Sequence, residues 1–260
     1  QILSGDLVSN GDFSQEGSEL VTNGDFETDS NWVKQAGWSI GGGTANCDGS
    51  QNLPESVYQG GVTIVGKTYK ITYTLVSITS GTVRAVAGTL GGAFQSTIGT
   101  HTEYLTATSN TVIQIQANAS FIGSIDNVSV KEVGQDWTLG TGTTIGDGIA
   151  NITQSGGVLA QSGGIMVSGK SFKVTFTISN YVSGSIAVSN LTPTMYRSGN
   201  GTYTLNAVGA GGDFRFFSSS FIGSVSNISV IEITSDTNLP RIDYTGGEGH
   251  WLFEPQSTNL

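Results

Sequence analysis

The chain has 260 residues, of which only 12% are charged, and 20 acidic against 10 basic side chains leave a formal net charge of −10. That balance argues against a nucleic-acid backbone or an anionic bilayer as partner, since both need clustered Lys and Arg, and no apolar run approaches the roughly 18 residues of a membrane span. With 38 Gly and a single Cys, the sequence reads as turn-rich and without an internal disulfide.

In chain order, the first feature is a short duplication. Leu7-Val8-Ser9-Asn10-Gly11-Asp12-Phe13 returns as Leu20-Val21-Thr22-Asn23-Gly24-Asp25-Phe26. No strand set follows the first copy, so residues 1–18 read as an N-terminal linker or a degenerate repeat start, and the second copy opens a domain. Cys47 has no counterpart later in the chain and reads as a buried, inert thiol. From Tyr69 the pattern alternates with period two: Tyr69, Ile71, Tyr73 and Leu75 share one face, Lys70, Thr72 and Thr74 the other, as a half-buried strand requires. Val83, Ala85 and Ala87 mark a further strand, and Ile113 and Ile115 another. Gly pairs such as Gly60-Gly61, Gly91-Gly92, Gly163-Gly164 and Gly211-Gly212 mark turns.

The closing segment Phe121-Ile122-Gly123-Ser124-Ile125-Asp126-Asn127-Val128-Ser129-Val130 recurs at Phe221-Ile222-Gly223-Ser224-Val225-Ser226-Asn227-Ile228-Ser229-Val230, and the central strand recurs with Phe172, Val174, Phe176 and Ile178 on its apolar face. A period near one hundred residues is the size of a whole β-sandwich domain. The fold expected is all-β: two tandem antiparallel β-sandwich (jelly-roll) domains, residues 19–133 and 134–234, followed by an extended junction at 235–260 that leads toward a further C-terminal region. An immunoglobulin topology lacks the Cys…Trp…Cys spacing.

Candidate binding residues are those out of phase with the core. Arg84, Gln114 and Gln116 lie opposite Val83/Ala85 and Ile113/Ile115, and Arg215 and Phe217 take the places of Gln114 and Gln116 in the second copy once a one-residue gap is allowed. Such a face suits a sugar, which is read by aromatic stacking and by amides or Arg; a plain solvated sheet face explains the same residues equally well. Trp32 and Trp137 recur as packing residues do. His101 reads as a solvated turn residue in a hairpin at 99–102, and no nucleophile motif or acid pair points to catalysis.

The order Asn23-Gly24-Asp25-Phe26-Glu27, Trp32, Gly37-Trp38, Gly66-Lys67-Thr68-Tyr69-Lys70-Ile71-Thr72-Tyr73 and Ile125-Asp126-Asn127-Val128-Ser129-Val130 resembles the jelly-roll carbohydrate-binding modules of families 4 and 9. The resemblance implies a structural calcium tying the first strand to the last, held by a backbone carbonyl near Asp25 and by the carboxylates of Glu27 and Asp126. It implies this in domain 1 only, because Ser226 stands for Asp126 and no Asn-Gly-Asp-Phe-Glu precedes Trp137. Residues 238–244 and 252–260 resemble a junction in bacteriophage tail and head-fibre proteins. Together these resemblances imply a non-enzymatic virion structural protein, a fibre or capsid decoration, at the virion surface or otherwise extracellular. Its expected partners are a glycan or polysaccharide and other virion subunits, a homotrimer among the arrangements. The alternatives are purely structural spacer sandwiches and an accessory module of a secreted polysaccharide-degrading enzyme.

Overall fold

The apolar face read from the alternation is the core. In the computed structural model, which describes residues 1–109, 111–234, 241–243 and 250–252, Tyr69, Ile71, Tyr73 and Leu75 are at most 1% exposed, and so are Phe172, Val174, Phe176 and Ile178. The described elements are all strands and pair antiparallel, and among the described residues no helix is long and apolar enough to cross a membrane.

The chain divides into two units. The first holds Asp12–Asp136 and the hairpin segment Thr143–Asn151; the second holds Gln1–Gly11, Trp137–Gly142 and the chain from Ile152 onward. The first unit contains β1 (Glu16–Glu19), β2 (Val33–Lys34), β3 (Trp38–Ile40), β4 (Ala45–Cys47), β5 (Glu55–Gln59), β6 (Thr68–Ser80), β7 (Val83–Ala87), β8 (Leu90–Gly91), β9 (Gly99–Thr106), β10 (Ile113–Ala117) and β11 (Ile122–Val133). One sheet runs β3-β4-β11-β6-β9, with β1 also on β11, and the other runs β2-β5-β10-β7-β8. Their facing side chains, among them Phe26, Val57, Ala85, Ile113, Ile115 and Phe121, make one core. Cys47 lies in it, and burial pushes its thiol pKa up, as an inert structural thiol requires.

After Asp136 come β12 (Thr138–Leu139), the hairpin β13 (Thr143–Gly146) and β14 (Ile149–Ile152), then β15 (Val158–Gln161), β16 (Ser171–Ser189), β17 (Leu191–Thr192), β18 (Tyr196–Arg197), β19 (Gly201–Gly209) and β20 (Phe214–Ile233). Strands β12-β15-β20-β16-β19-β17 form a continuous order, with β18 also on β16. Here β16 and β20 each do the work of two strands of the first unit. The chain bends rather than breaks at Gly184, which meets the Ser220 backbone as Gly81 meets that of Phe121. Two further short strands, β21 (Arg241–Asp243) and β22 (His250–Leu252), pair with each other; most of the expected junction lies outside the described residues.

Residues 1–11 are neither the linker nor the degenerate repeat start that the sequence suggests for 1–18. They are the opening segment of the second unit, and they make the bonds that residues 19–24 make in the first. The Gly24 carbonyl accepts Val128 N at 2.8 Å, and the Gly11 carbonyl accepts Ile228 N at 2.8 Å. The Gln59 amide brackets the Thr22 backbone, donating to its carbonyl at 2.6 Å and accepting its N–H at 3.3 Å. Gln161 brackets Ser9 in the same way, at 3.0 and 2.8 Å. Trp32 Nε1 donates to Asn23 O at 2.9 Å and Trp137 Nε1 to Asn10 O at 3.0 Å. A carboxylate completes each set: Glu19 Oε1 accepts Val21 N and Val130 N, and Asp6 Oδ1 accepts Val8 N and Val230 N. The Asn-Gly-Asp segment found missing before Trp137 is therefore supplied from the start of the chain.

The repeated Asn of the closing strands has a local cause. Asn127 and Asn227 have φ of 52° and 50°, beside a register shift in each ladder, and Asn tolerates this left-handed conformation better than most residues. The repeated Gly has another cause. A Cβ on Gly24 would lie 2.0 Å from Val128 O, and one on Gly11 1.9 Å from Ile228 O.

Gly24→Val and Gly11→Val are therefore expected each to lower the melting transition of one unit, the first and the second respectively, by roughly 5–15 °C in scanning calorimetry. In the first unit, Glu16 accepts from Lys70 at 2.6 Å and Lys131 at 3.1 Å, and these bonds hold its carboxyl below the ordinary glutamate value. Its contribution is present above pH 4.5 and fades as pH falls through the lowered folded-state value. Melting curves of Glu16→Gln and the parent should differ near neutrality and converge in acid.

Candidate functional site

The sheet β2-β5-β10-β7-β8 turns Ile113, Ile115 and Ala117 inward, so Gln114 and Gln116 point outward by alternation. Register then assembles two rows. Ser56, Gln116 and Arg84 stand side by side, and one pleat further Val33, Tyr58, Gln114, Val86 and Gly91 do the same. Neighbours within a row are about 4.8 Å apart, the strand spacing. The structure thus brings Arg84, Gln114 and Gln116 onto one face, and adds Tyr58.

Arg84 is held in place. Its Nε and Nη2 donate to Gln116 Oε1 at 2.9 and 2.8 Å, and its guanidinium lies 4.4 Å above the ring of Phe94. A cation–π contact at such a site contributes about 0.5–1 kcal/mol, enough with two hydrogen bonds to fix a long side chain before any ligand arrives. Gly91 passes beside this guanidinium, where a Cβ would meet it at 2.6 Å. Gln114 donates to Gly88 O at 3.2 Å, and beyond the row Gln95 donates to Glu103 Oε1 at 3.2 Å. Phe94 remains 49% exposed, an apolar ring the core does not use. Sequence reasoning passed over Phe94 and Tyr58; the signal was an aromatic two residues after the Gly91-Gly92 turn and one at the outward phase of a strand.

In the second unit, Arg215 and Phe217 lie on the outward face of β20, between buried Phe214, Phe216 and Ser218. Arg215 pairs with Ala160 and Ser189, and Phe217 with Val158 and Ala187. They occupy the strand that corresponds to β10, with an alanine where the first unit has Arg84. Trp32, Trp38 and Trp137 are packing residues, each no more than 7% exposed. His101 is no turn residue: it sits in β9 opposite Tyr73, with ring centroids 5.5 Å apart and Nε2 2.7 Å from Thr97 O.

Of the residues named for calcium, the Asp25 and Asp126 side chains have local contacts. Asp25 Oδ1 accepts Glu27 N at 3.4 Å, and both oxygens of Asp126 accept from Asn127, at 2.6 and 2.9 Å. Among the described residues no three His, Cys, Asp or Glu side chains gather into a metal-ligand group, so the residues present fall short of the six to eight oxygens calcium takes unless carbonyls and water supply most of them. A cavity of about 320 Å³ in the first unit, lined by Phe13, Glu16, Tyr104, Ile145 and Asp147 among others, lies against the other sheet. Burial raises the Tyr104 phenol pKa, and the Glu16 carboxylate there is already engaged by two lysines.

No family model matches the chain. No curated protein matches it. Among solved structures, it is similar to the N-terminal CBM22-1-CBM22-2 tandem domain of Paenibacillus barcinonensis Xyn10C, at 10% identity and a TM-score of 0.38, over 85% of this chain and 99% of that one.

If Arg84 is fixed as described, Phe94→Ala should broaden or shift the Arg84 Nε–Hε resonance in heteronuclear NMR while leaving the core amides of β7 and β10 in place.

Proposed function

We propose that the chain is a non-enzymatic glycan-binding protein whose first unit recognises polysaccharide on the outward face of β2-β5-β10-β7-β8. The observation that carries this reading is Arg84, braced by Gln116 and stacked on a half-exposed Phe94. A bare solvated sheet face has no need of an aromatic ring and an oriented guanidinium side by side. In the reading, Phe94 and Tyr58 give apolar faces for sugar C–H groups, and Arg84, Gln114 and Gln116 give hydrogen bonds to hydroxyls. A shallow open face of this kind binds weakly, so many copies on one particle would raise the avidity. A virion surface, with the chain in a phage fibre or capsid decoration beside other virion subunits, is the setting we propose for that, on the resemblance of the junction. A structural calcium near Asp25, Glu27 and Asp126 is likewise proposed from the resemblance of the opening and closing strands.

Affinity electrophoresis and calorimetry against a panel of neutral and acidic polysaccharides test the reading. Arg84→Ala and Gln116→Ala should each weaken binding at least tenfold without moving the melting temperature; silence of the parent chain across the panel would leave the sandwiches as spacers. For the metal, millimolar calcium should raise the first unit's transition and Asp126→Asn should abolish the rise. Identical melts in calcium and in chelator would refute it.

A further inference from the structure

We infer that the second unit carries a sugar site of different chemistry, a stacking platform with one cation that selects carboxylate-bearing sugars; this rests on the glycan-binding reading of the first unit. Register places Phe217, Ala187 and Tyr196 in one row across β20, β16 and β18. Phe217 is 45% exposed and Tyr196 50%, whereas Ala187 between them is 1% exposed. Two large rings thus flank and cover a small residue, making an apolar strip two strand spacings long, about 10 Å. The second unit's core already holds Phe172, Phe176, Phe214, Phe216 and Phe221, so these two exposed rings are not needed for burial. Water-facing aromatics in register mark a surface that meets a ligand.

One pleat along the same face, Arg215 stands between Ala160 and Ser189. Both neighbours are small, and among the described residues no carboxylate pairs with Arg215, in a chain that is otherwise acidic. An exposed guanidinium in this position favours a planar anion that takes two parallel hydrogen bonds, as a sugar carboxylate does. The first unit differs at each equivalent position. Gln116 stands in place of Phe217, Gln114 in place of Arg215 and Arg84 in place of Ala187, and its arginine is already engaged by Gln116. The two copies have kept the frame and exchanged its outward side chains, so one chain presents two sugar specificities.

The test uses the full chain carrying Arg84→Ala, which silences the first face, with polygalacturonate, alginate and methyl-esterified polygalacturonate as probes. Binding to the two polyuronates should persist, weaken as salt rises from 0.05 to 0.5 M (on the order of tenfold, by screening), and exceed binding to the ester at least fivefold. Arg215→Ala should remove the preference for acid over ester, and Phe217→Ala with Tyr196→Ala should remove binding to all three by tenfold or more, with melting unchanged. Unaltered polyuronate binding in the Phe217/Tyr196 variant, or no acid preference to begin with, overturns the inference. If the parent binds a glycan through Arg84 while the Arg84→Ala chain binds no polyuronate, this inference falls and the first site stands. If the parent binds no polysaccharide, both fall.

Discussion

Each unit is held shut by one recurring set of hydrogen bonds between an opening segment and a closing strand. Within the segment a valine is buried, Val21 in the first unit and Val8 in the second. The segment is fastened through its backbone, by a glutamine amide that imitates a neighbouring peptide, by an indole N–H, by a carboxylate, and by a glycine that lets two main chains touch. Gln59 and Gln161 are buried, and a buried amide deprived of its partners costs about 1–3 kcal/mol, so glutamine and segment have to be retained together. The left-handed Asn127 and Asn227 and the buried Trp32 and Trp137 recur beside the seated segment in both units.

The alternation from Tyr69 to Leu75 and from Phe172 to Ile178 was legible because the period of a strand is local. So was the doubling of the module, and so were the outward positions of Arg84, Gln114, Gln116, Arg215 and Phe217. The role of residues 1–11 was not, because their partners lie as many as 233 residues away and leave no local pattern. One trace existed: two nearly identical openings, Leu7–Phe13 and Leu20–Phe26, in a chain with two closings. The placement of His101 was misjudged for a related reason, since a glycine before it imitates a hairpin turn, whereas pairing with β6 extends the strand through it. Tyr196 sits on a short edge strand whose register is set by its neighbours rather than by its own sequence, so nothing local announced the row it joins.

The two outward faces show which parts of a duplicated sandwich are free to change. Inward positions stay largely apolar, Tyr69 and Tyr73 answering to Phe172 and Phe176 and Ile113 and Ile115 to Phe214 and Phe216, because a buried polar group without a partner is costly. Outward positions answer only to solvent and ligand, and there an arginine has become an alanine and two glutamines have become an arginine and a phenylalanine. The hydroxyl pairs on the opposite sheets, Thr74 with Thr100 and Thr177 with Thr202, have hardly altered.

Because the opening segment of the second unit precedes its partners by a whole domain, the order of synthesis bears on assembly. Ser9 leaves the ribosome 152 residues ahead of Gln161. The intervening unit can fold in that interval, and the ladder between β1 and β11 fixes Glu16 beside Val133, at its own entry and exit. What would be a long open span then becomes two short tethers on a folded body, which by chain entropy eases closure by ~1 kcal/mol. A first sandwich folded in that interval would shorten the span the second has to close.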